Sequence, residues 1–438
     1  MKLVTRRSLN LLIDFYEFTM ADSYYQEKKE KEATFDLFVR KLPKNRSYLI
    51  ACGVYDALKY IQNLRFEKNE LSYLRSTGRF SDGFLKYLSN FKFSGDVYGI
   101  PEGTPVFEME PILRVTAPLI EAQLLETFLL NCVGFQTLIA TKASRICTAA
   151  LNKPVIDFGL RRSQGIDAGL KAARAAFIGG CSATSNVLAG KEYNIPISGT
   201  VAHSFILSYK DEFEAFKSIA RRYGDGCVFL IDTYNPILGA KNAVKVAKEM
   251  EKEGKRAGAV RIDSGDLSLL SKRVRKLLDS AGLSYIKIIA SGGLDEYKID
   301  RLLNSRSPID AFGVGTSMDV SDDAPSLDIN YKLCEYDGKP VQKTSEGKAT
   351  LAGKKNVLRF EKDGKFIYDL IVGDKETKKD GSPLLVQMIR RGKIIFKVPQ
   401  LVQIRANAKK QLTKLPSAVL SVRHPKKYPV KISTTLLS

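Results

Sequence analysis

The run CVFLIDTY (residues 227–234) is a short apolar segment that ends in polar side chains. It is followed by PILGAKNAVKVAKEMEKEG (236–254), whose apolar residues have helical spacing. The same pattern recurs between residues 155 and 318, where helical stretches follow the runs VIDFG, ISGTVAHSF, AGAVRIDSG and YIKIIASGG, and DAFGVGTSM ends the series. Strand–helix units of about 25–30 residues imply right-handed crossovers between parallel strands. The sequence therefore predicts an α/β fold.

The ends of these apolar runs carry polar or glycine-rich residues. In β/α barrels the catalytic groups lie at the carboxyl ends of the strands, and structural needs do not require polar groups there. A doubly wound open sheet is the alternative, but no GxGxxG turn supports dinucleotide binding. The pattern favours an irregular, TIM-like β/α barrel.

The flanking segments have other patterns. Residues 10–26 and 53–64 are predicted helices, 34–42 a strand, and 93–117 short strands and turns. A helical pattern covers 118–151, and we expect Gly134 to divide it into two helices. After Met318 short strands return, with hairpin turns at the two DGK sequences, 337–339 and 363–365. The predicted domains are an α/β domain (1–117), the barrel (118–330, with helical entry 118–151) and a β-rich segment (331–438).

The charge is strongly basic and uneven. The net charge is +21, and after Asp380 no acidic residue occurs whereas 12 basic ones do. A basic tail can attract nucleic acid, a membrane surface or small anions. Because aromatic residues are sparse there and no nucleic-acid-binding motif appears, we interpret the tail as a solubilising face or one that attracts an anionic substrate.

The N-terminus and the cysteines indicate a cytoplasmic protein. Asp14 and Glu17 interrupt the first apolar patch, and no small-residue cleavage site follows, so a signal peptide is not expected. No apolar run of the length needed for a membrane span is evident in the sequence. The six cysteines form no CxxC pair, which favours reduced thiols over a disulfide framework or a zinc site.

The polar residues at the strand ends form a chemically coherent set. Arginines can clamp phosphates or a carboxylate, and glycines beside hydroxyl residues let backbone N–H groups surround a phosphate. Each motif taken alone also has a purely structural interpretation. GVGT can form a tight turn, RIDSGD can begin a helix, and a single histidine can make a structural hydrogen bond. Together they predict a site for an anionic, phosphorylated sugar. The set is Asp157, Phe158, Arg161, Arg162, Thr200, His203, Ser204, Asp232, Tyr234, Arg261, Asp263, Ser264, Ser291, Gly292, Gly293, Gly313, Gly315 and Thr316.

Seven motifs in this order resemble the nicotinate phosphoribosyltransferase family: DFYEFTM, DFGLRRSQG, SNVLAG, GTVAHSF, LIDTY, VRIDSGD and GVGTS. The resemblance runs from about residue 10 to 330. It implies an irregular β/α barrel joined to an α/β domain that N- and C-terminal segments build together. The strand pattern and the charge add a β-rich basic C-terminal extension to this expectation. It also implies a homodimer, or a higher even oligomer, with active sites shared between subunits. The reaction it implies joins nicotinate to phosphoribosyl pyrophosphate, giving nicotinate mononucleotide and pyrophosphate, with ATP hydrolysis coupled through a phosphohistidine.

The resemblance also assigns roles to residues. His203 would be phosphorylated, Asp232 would orient its ring, Arg261 would lie near the nicotinate carboxylate, and Asp263 near the ribose hydroxyls. Phe158 and Tyr16, the latter from the partner subunit, would sandwich the pyridine ring. The remaining expected substrate-binding residues are Arg161, Arg162, Ser185, Thr200, Ser291, Gly292, Gly293, Gly313, Gly315 and Thr316. No residue is expected to be a metal ligand, and Mg²⁺ would accompany phosphoribosyl pyrophosphate and ATP.

Three other functions remain as alternatives. Nicotinamide phosphoribosyltransferase has the same architecture, but a neutral Asn186 beside Ser185 avoids repelling a carboxylate and favours nicotinate. Quinolinate phosphoribosyltransferase has a related barrel but needs no phosphohistidine. A basic, non-catalytic barrel that binds nucleic acid is disfavoured by the complete set of His203, Asp232 and Arg261.

Overall fold

The structure, a computed structural model, describes residues 9–345 and 350–436. The chain divides into two compact units, one formed by Met1–Leu138 with Ser326–Ser438 and the other by Ile139–Pro325. The predicted domain boundaries lie at 117/118 and 330/331, whereas the first division between the units, at 138/139, falls within a long helix. The domain assignment itself stays a prediction.

The first unit contains elements from both ends of the chain. Its helices are α1 (Phe15–Gln26), α2 (Val54–Asn63), α3 (Lys68–Ser76), α4 (Asp82–Ser89) and α5 (Leu119–Gln123), and α6 (Glu126–Ala149) continues from it into the second unit. Its first strands are β1 (Glu32–Val39), β2 (Leu49–Ile50), β3 (Asp96–Gly99), β4 (Pro105–Val106) and β5 (Pro111–Pro118).

The second unit alternates strands with helices. Its elements are β6 (Val155–Asp157), α7 (Ile166–Gly179), β7 (Ala183–Thr184), α8 (Val187–Tyr193), α9 (His203–Leu207), α10 (Glu212–Tyr223), β8 (Val228–Leu230), α11 (Pro236–Lys252), β9 (Ala259–Ile262), α12 (Leu267–Ser280), β10 (Lys287–Ala290), α13 (Glu296–Asn304), β11 (Ala311–Val314) and α14 (Thr316–Asp319).

The rest of the chain returns to the first unit. It forms β12 (Ile329–Tyr336), β13 (Lys339–Pro340), β14 (Lys355–Lys362), β15 (Lys365–Gly373), β16 (Gly381–Pro383), β17 (Val386–Arg390), β18 (Lys393–Ile394), α15 (Leu401–Lys414), α16 (Ser417–Leu420) and β19 (Val430–Ile432). Short 3₁₀ helices occur at Leu9–Leu11, Leu160–Arg162 and Thr434–Leu436.

The largest sheet of the first unit joins the two ends of the chain. Its order is β13-β12-β1-β5-β3-β17-β18, and every neighbouring pair is antiparallel. Strands from residues 32–118 thus lie between strands from residues 329–394. A second sheet has the order β16-β14-β15-β19.

The second unit contains a six-stranded parallel sheet, as the sequence predicted. Its order is β7-β6-β11-β10-β9-β8. The strands are buried over nearly all their length, as in Val260, Ile288, Phe312 and Val314, because helices cover parallel sheets. The α/β class and the parallel sheet are therefore confirmed.

Several helices of this unit are preceded by a residue whose side chain accepts a hydrogen bond from a backbone N–H group of the first turn. These N-cap residues are Asn186, Asp211, Asn235, Asp266 and Asp295. In α11 a proline also occupies the first turn, where its missing N–H costs nothing. The caps fix where each loop after a strand ends, and these loops carry the polar residues discussed below.

Both DGK sequences form hairpin turns, as predicted. Asp337 and Gly338 have φ of 49° and 70°, and Asp363 and Gly364 have 50° and 73°. Two successive positive φ values are typical of the type I′ turn that matches strand twist. The turns connect β12 to β13 and β14 to β15.

Three predictions of local structure were wrong. Gly134 does not divide the helical stretch; the break lies between Gln123 and Glu126, and Gly134 sits inside α6, where an added Cβ would lie 3.2 Å from Ile329 Cγ2. ISGTVAHSF forms no regular strand within the fully described segment 185–227; Ile197 makes one isolated bridge to Thr184, and His203 begins helix α9. The β-rich C-terminal segment also contains the unexpected helix α15, which buries only Ile404 and Ala408.

Within the described residues, one helical stretch, Leu119–Ala149, is long and apolar enough to cross a membrane by length and composition. The sequence reading had identified no such run. However, 67% of its most apolar part is buried inside the protein, which is typical of a core helix.

Candidate active site

A cavity of about 570 Å³ lies at the carboxyl ends of the parallel strands in the second unit. We call it the strand-end cavity. Its walls come from the loops after β6, β7, β9, β10 and β11 and from residues 199–202. The residues that line it are Phe158, Arg161, Arg162, Ser185, Gly199, Thr200, Val201, Ala202, Arg261, Asp263, Ser291, Gly292, Gly293, Leu294, Gly313, Gly315 and Thr316. It therefore brings together most of the predicted site residues. Those outside its lining are Tyr16, Asp157, His203, Ser204, Asp232, Tyr234 and Ser264.

The half-buried ring of Phe158 forms part of the cavity wall. A Cβ added to Gly313 would overlap this ring, so only glycine on β11 leaves room for it. The backbone N–H of Phe158 donates to Val314 O at 2.8 Å, which fixes the residue against the neighbouring strand. The Arg261 guanidinium carbon lies 5.8 Å from the ring centroid. The ring and the guanidinium form one corner of the cavity.

Arg261 is the centre of the hydrogen-bond network in the cavity. Its Nε donates to Ser291 Oγ at 3.0 Å and its Nη2 to Asp263 Oδ1 at 3.1 Å. Its Nη1 donates to Thr200 Oγ1 and to Val201 O. Since a guanidinium has five N–H donors, these four bonds leave one N–H of Nη2 for a ligand. Only 13% of the side chain is exposed.

Asp263 joins Arg261 to the strand-end loops. Its Oδ1 also accepts from Ser291 Oγ at 2.5 Å. Burial opposes the charged form, but the hydrogen bonds from Ser291 and Arg261 and the positive charge of Arg261 outweigh it and lower the pKa of Asp263. This carboxyl is therefore ionised at neutral pH.

His203 is held by a residue that the sequence reading had not selected. Its Nδ1 lies 3.1 Å from Thr233 Oγ1, and its Nε2 lies 3.9 Å from Asp263 Oδ2. The side chain is 41% exposed. Thr233 lies next to Asp232 in the LIDTY motif, so this motif could have identified it as a candidate contact of His203.

Asp232 does not contact the histidine ring in the way the sequence predicted. Its Oδ2 accepts from the backbone N–H of Asp263 at 2.9 Å and from Ser264 Oγ at 2.5 Å. A buried carboxylate needs donors, and the loop after the neighbouring strand supplies them at closer range. Asp232 therefore ties the loop after β8 to the loop after β9, and Thr233 takes the contact with the ring.

The remaining loops expose groups suited to anions. Arg161 and Arg162 follow β6 and are exposed, and neither side chain has a hydrogen-bond or ion-pair partner in the described parts of the chain. Gly292 has φ of 91°, and a Cβ there would overlap the carbonyl oxygen of Asp263, so this loop requires glycine. Gly315 and Thr316 lie at the start of α14.

Tyr16 lies on α1 in the first unit and is 45% exposed. Burial and the nearby carboxylates of Glu126 and Glu17 raise the pKa of its hydroxyl. The next residue, Glu17, is buried, and its Oε1 accepts from the backbone N–H of Thr127 at 3.0 Å. Burial raises the pKa of Glu17 to about 7.

The strand-end cavity thus combines an aromatic face, arginines and glycine–hydroxyl loops at the ends of parallel strands. These features define a protein that binds a phosphorylated, anionic substrate on an α/β scaffold.

Comparison with known proteins identifies the family. Three family descriptions match: the nicotinate phosphoribosyltransferase N-terminal domain over residues 11–134, the nicotinate phosphoribosyltransferase family over 154–376, and the C-terminal domain over 377–438. The chain belongs to the nicotinate phosphoribosyltransferase family, and it is an enzyme with that function.

Individual relatives are similar to this protein over nearly its whole length. A nicotinate phosphoribosyltransferase of Mycobacterium tuberculosis is 43% identical, covering 98% of this chain and 92% of its own. That of Bacillus subtilis is 40% identical, covering 97% and 93%. The crystal structure of human nicotinic acid phosphoribosyltransferase superposes with a TM-score of 0.84 at 27% identity, covering 98% of this chain and 99% of that one. The nucleic-acid-binding alternative has no support from these relatives.

Proposed function

We propose that the strand-end cavity is where the enzyme joins nicotinate to phosphoribosyl pyrophosphate, releasing nicotinate mononucleotide and pyrophosphate. The observation that carries this assignment is the meeting of Phe158, Arg261, the exposed arginines and the glycine loops in one cavity of about 570 Å³. Its size is within the usual range for small-molecule sites, about 300–1,000 Å³.

The pyridine ring of nicotinate is placed against Phe158, with its carboxylate toward the free N–H of Arg261. The side chains of Arg161 and Arg162 have no other partner in the described chain and suit the pyrophosphate. The glycine loops, Gly292–Gly293 and Gly315–Thr316, suit the 5′-phosphate. The carboxylate of Asp263 is ionised and faces the cavity, so it can accept from the ribose hydroxyls.

Displacement of pyrophosphate builds positive charge at the anomeric carbon and negative charge on the leaving group. The arginines stabilise the leaving group, and the aromatic stacking holds the pyridine nitrogen in line with the carbon that it attacks. The nitrogen attacks with its lone pair, so no protein base is required at that atom.

We further propose that ATP phosphorylates His203 during the cycle. The ring is 41% exposed, while its contact with Thr233 fixes its orientation. In this step the imidazole nitrogen attacks the terminal phosphorus of ATP and ADP leaves. Hydrolysis of the phosphohistidine after turnover would favour mononucleotide formation.

Mg²⁺ is the proposed cofactor. Among the described residues no group of three or more His, Cys, Asp or Glu side chains could hold a metal ion. The site fits Mg²⁺ carried by the substrates, because this ion commonly binds one or two carboxylates together with substrate phosphates. Asp263 Oδ2 is the carboxylate oxygen in the cavity wall that accepts no hydrogen bond within the described chain. The ion would neutralise clustered phosphate charge.

We propose that the six-stranded sheet is the wall of an irregular β/α barrel. Its strands follow chain order from β8 to β11, and β6 then lies beside β11 and β7 beside β6. This cyclic order suits a barrel rather than a doubly wound sheet, whose order reverses at a switch point. The segment between β7 and β8, with the isolated Thr184–Ile197 bridge, accounts for the irregularity.

We propose a homodimer, or a higher even oligomer, with shared active sites. Large apolar side chains are exposed in the segments after β6 and β7, from which several cavity-lining residues also come: Leu160, Ile166, Val187, Leu188, Ile197 and Leu207. Exposed apolar clusters of this kind often mark protein interfaces. Tyr16, on another exposed surface, is the proposed contribution of the partner subunit. We also propose a cytoplasmic location, and that the basic tail attracts the anionic substrates.

The assay is turnover of nicotinate, phosphoribosyl pyrophosphate and Mg²⁺, with and without ATP, followed by detection of the mononucleotide. We expect formation from nicotinate in strong preference to nicotinamide, and stimulation by ATP. Equal use of the two pyridines would contradict the role given to Arg261, and indifference to ATP would contradict the role given to His203.

A further inference from the structure

Two buried aspartates lie beneath the strand-end cavity without a cation. Asp157 is the last residue of β6 and Asp319 the last of α14, and their exposures are 1% and 0%. Within the described parts of the chain neither forms an ion pair with Lys or Arg. The two carboxyl groups lie close together, because both adjoin the backbone of Gly159. We call Asp157 and Asp319 the carboxyl pair.

The surroundings indicate which member keeps a proton. Asp157 accepts from the backbone N–H of Gly159 at 2.8 Å and from Thr184 Oγ1 at 2.6 Å. Asp319 accepts from one donor, Ser163 Oγ, at 2.9 Å. Two buried anions cannot remain in contact without a cation, so the pair holds one proton. Burial and the neighbouring carboxylate raise the pKa of Asp319 well above its usual range, and its Oδ1 has no hydrogen-bond partner within the described chain, so Asp319 is the member that keeps the proton.

The carboxyl pair joins three segments that carry the proposed substrate-binding residues. It holds residues 159 and 163, on either side of Arg161 and Arg162, through Gly159 N–H and Ser163 Oγ. A Cβ on Gly159 would overlap the Asp319 carboxyl group, so this backbone packs directly on the pair. Thr184 precedes Ser185, and Asp319 ends the helix that begins at Thr316.

We propose that Asp157 and Asp319 are positioning residues for phosphoribosyl pyrophosphate, which fix the arginine-bearing loop against the glycine loop at Gly315 by sharing one proton. The inference rests on the proposed placement of this substrate in the strand-end cavity. A second anion in the pair would repel the first and release Ser163 and Gly159, so substrate binding should weaken when the shared proton is lost. Among the described residues, the Cys181 thiol is also a titratable group close to both carboxyls.

The test compares Asp319→Asn with Asp319→Ala. Asparagine keeps an N–H donor toward Asp157 and an oxygen that accepts from Ser163, so we expect its KM for phosphoribosyl pyrophosphate to stay within about threefold of wild type. We expect the KM of wild type for phosphoribosyl pyrophosphate to rise at alkaline pH, and that of Asp319→Asn to show no such rise. Alanine removes both contacts and should raise this KM at least about tenfold, with a smaller change in the KM for nicotinate.

Asp310→Asn is the matched control, because Asp310 accepts from the backbone N–H of Ile288 in the same unit but lies outside the cavity. If Asp319→Ala does not fold, Ser163→Ala decides, with an expected rise in the same KM of about threefold or more. Unchanged KM values in folded Asp319→Ala or in Ser163→Ala would overturn the inference. So would an alkaline rise that persists in Asp319→Asn. A wild-type enzyme that fails to use phosphoribosyl pyrophosphate would instead contradict the proposed function.

Discussion

Arg261→Lys tests the centre of the site while keeping its charge. An ammonium group has three N–H donors. Ser291, Thr200 and Asp263 would take all three, so none would remain for the nicotinate carboxylate. A hydrogen bond to a charged group contributes about 1.5–3 kcal/mol. The loss of one such bond should lower kcat/KM for nicotinate by about 10- to 150-fold.

The assay is steady-state kinetics with nicotinate and with nicotinamide, together with thermal unfolding. The neutral amide gains less from the charge, so its kcat/KM should fall less and the selectivity should narrow. Arg275→Lys is the matched control, since Arg275 makes three comparable bonds, to Asp279 Oδ1, Ile286 O and Leu283 O, outside the cavity. A kcat/KM for the Arg261→Lys enzyme within about threefold of wild type would refute the reasoning, as would an equal fall for both pyridines.

Four further predictions concern other parts of the protein. His203→Ala should abolish nicotinate-stimulated ATP hydrolysis and the acid-labile label from γ-labelled ATP, and label that persists would place the phosphate elsewhere. Tyr16→Ala and Arg261→Ala enzymes, each nearly inactive, should regain activity when mixed under subunit exchange; no recovery despite exchange would mean that Tyr16 serves its own chain. The pKa of the buried Glu17 carboxyl is raised to about 7, so its ionisation lowers the stability of the wild-type protein as the pH rises from about 4.5 to 7. Glu17→Gln removes this ionisation and should therefore stabilise the protein above about pH 7, by at most about 3 kcal/mol. A stability difference between the two proteins that does not change with pH would contradict this. Truncation after Gly381 should destabilise the first unit, because it removes β17 with its buried residues Met388 and Ile389. A truncated chain with the same melting temperature as the full chain would show that β17 is dispensable for stability.

The sequence predicted best what depends on repeated local patterns. The alternation of apolar runs and helices identified the parallel sheet, and the DGK sequences identified two hairpins, since both signals lie within a few residues of the structure that they specify. The polar residues at strand ends predicted the cavity, because parallel strands bring their carboxyl ends to one edge of a sheet.

The errors arose where distant contacts decide local structure. Gly134 remains helical because α6 packs closely against Ile329, nearly two hundred residues later in the chain. His203 lies on a short helix rather than at a strand end. The contact of Asp232 with the next loop depends on a backbone N–H, which no side-chain pattern records. The carboxyl pair likewise joins residues 157 and 319 and could not be seen as a pair in the sequence.

The seven-stranded sheet also has a consequence for synthesis of the protein on the ribosome. After β5 leaves the ribosome, roughly 270 residues must follow before β17 is available to cover β3, a delay of about 15–55 s at 5–20 residues per second. During that time the outer edge of β3 stays unpaired, and the outer edge of β1 stays unpaired until β12 is made; unpaired edges favour aggregation. The second unit is continuous in sequence and can fold within this interval. The second unit, which contains the strand-end cavity, should therefore fold first, and chaperones should bind the N-terminal strands in the meantime.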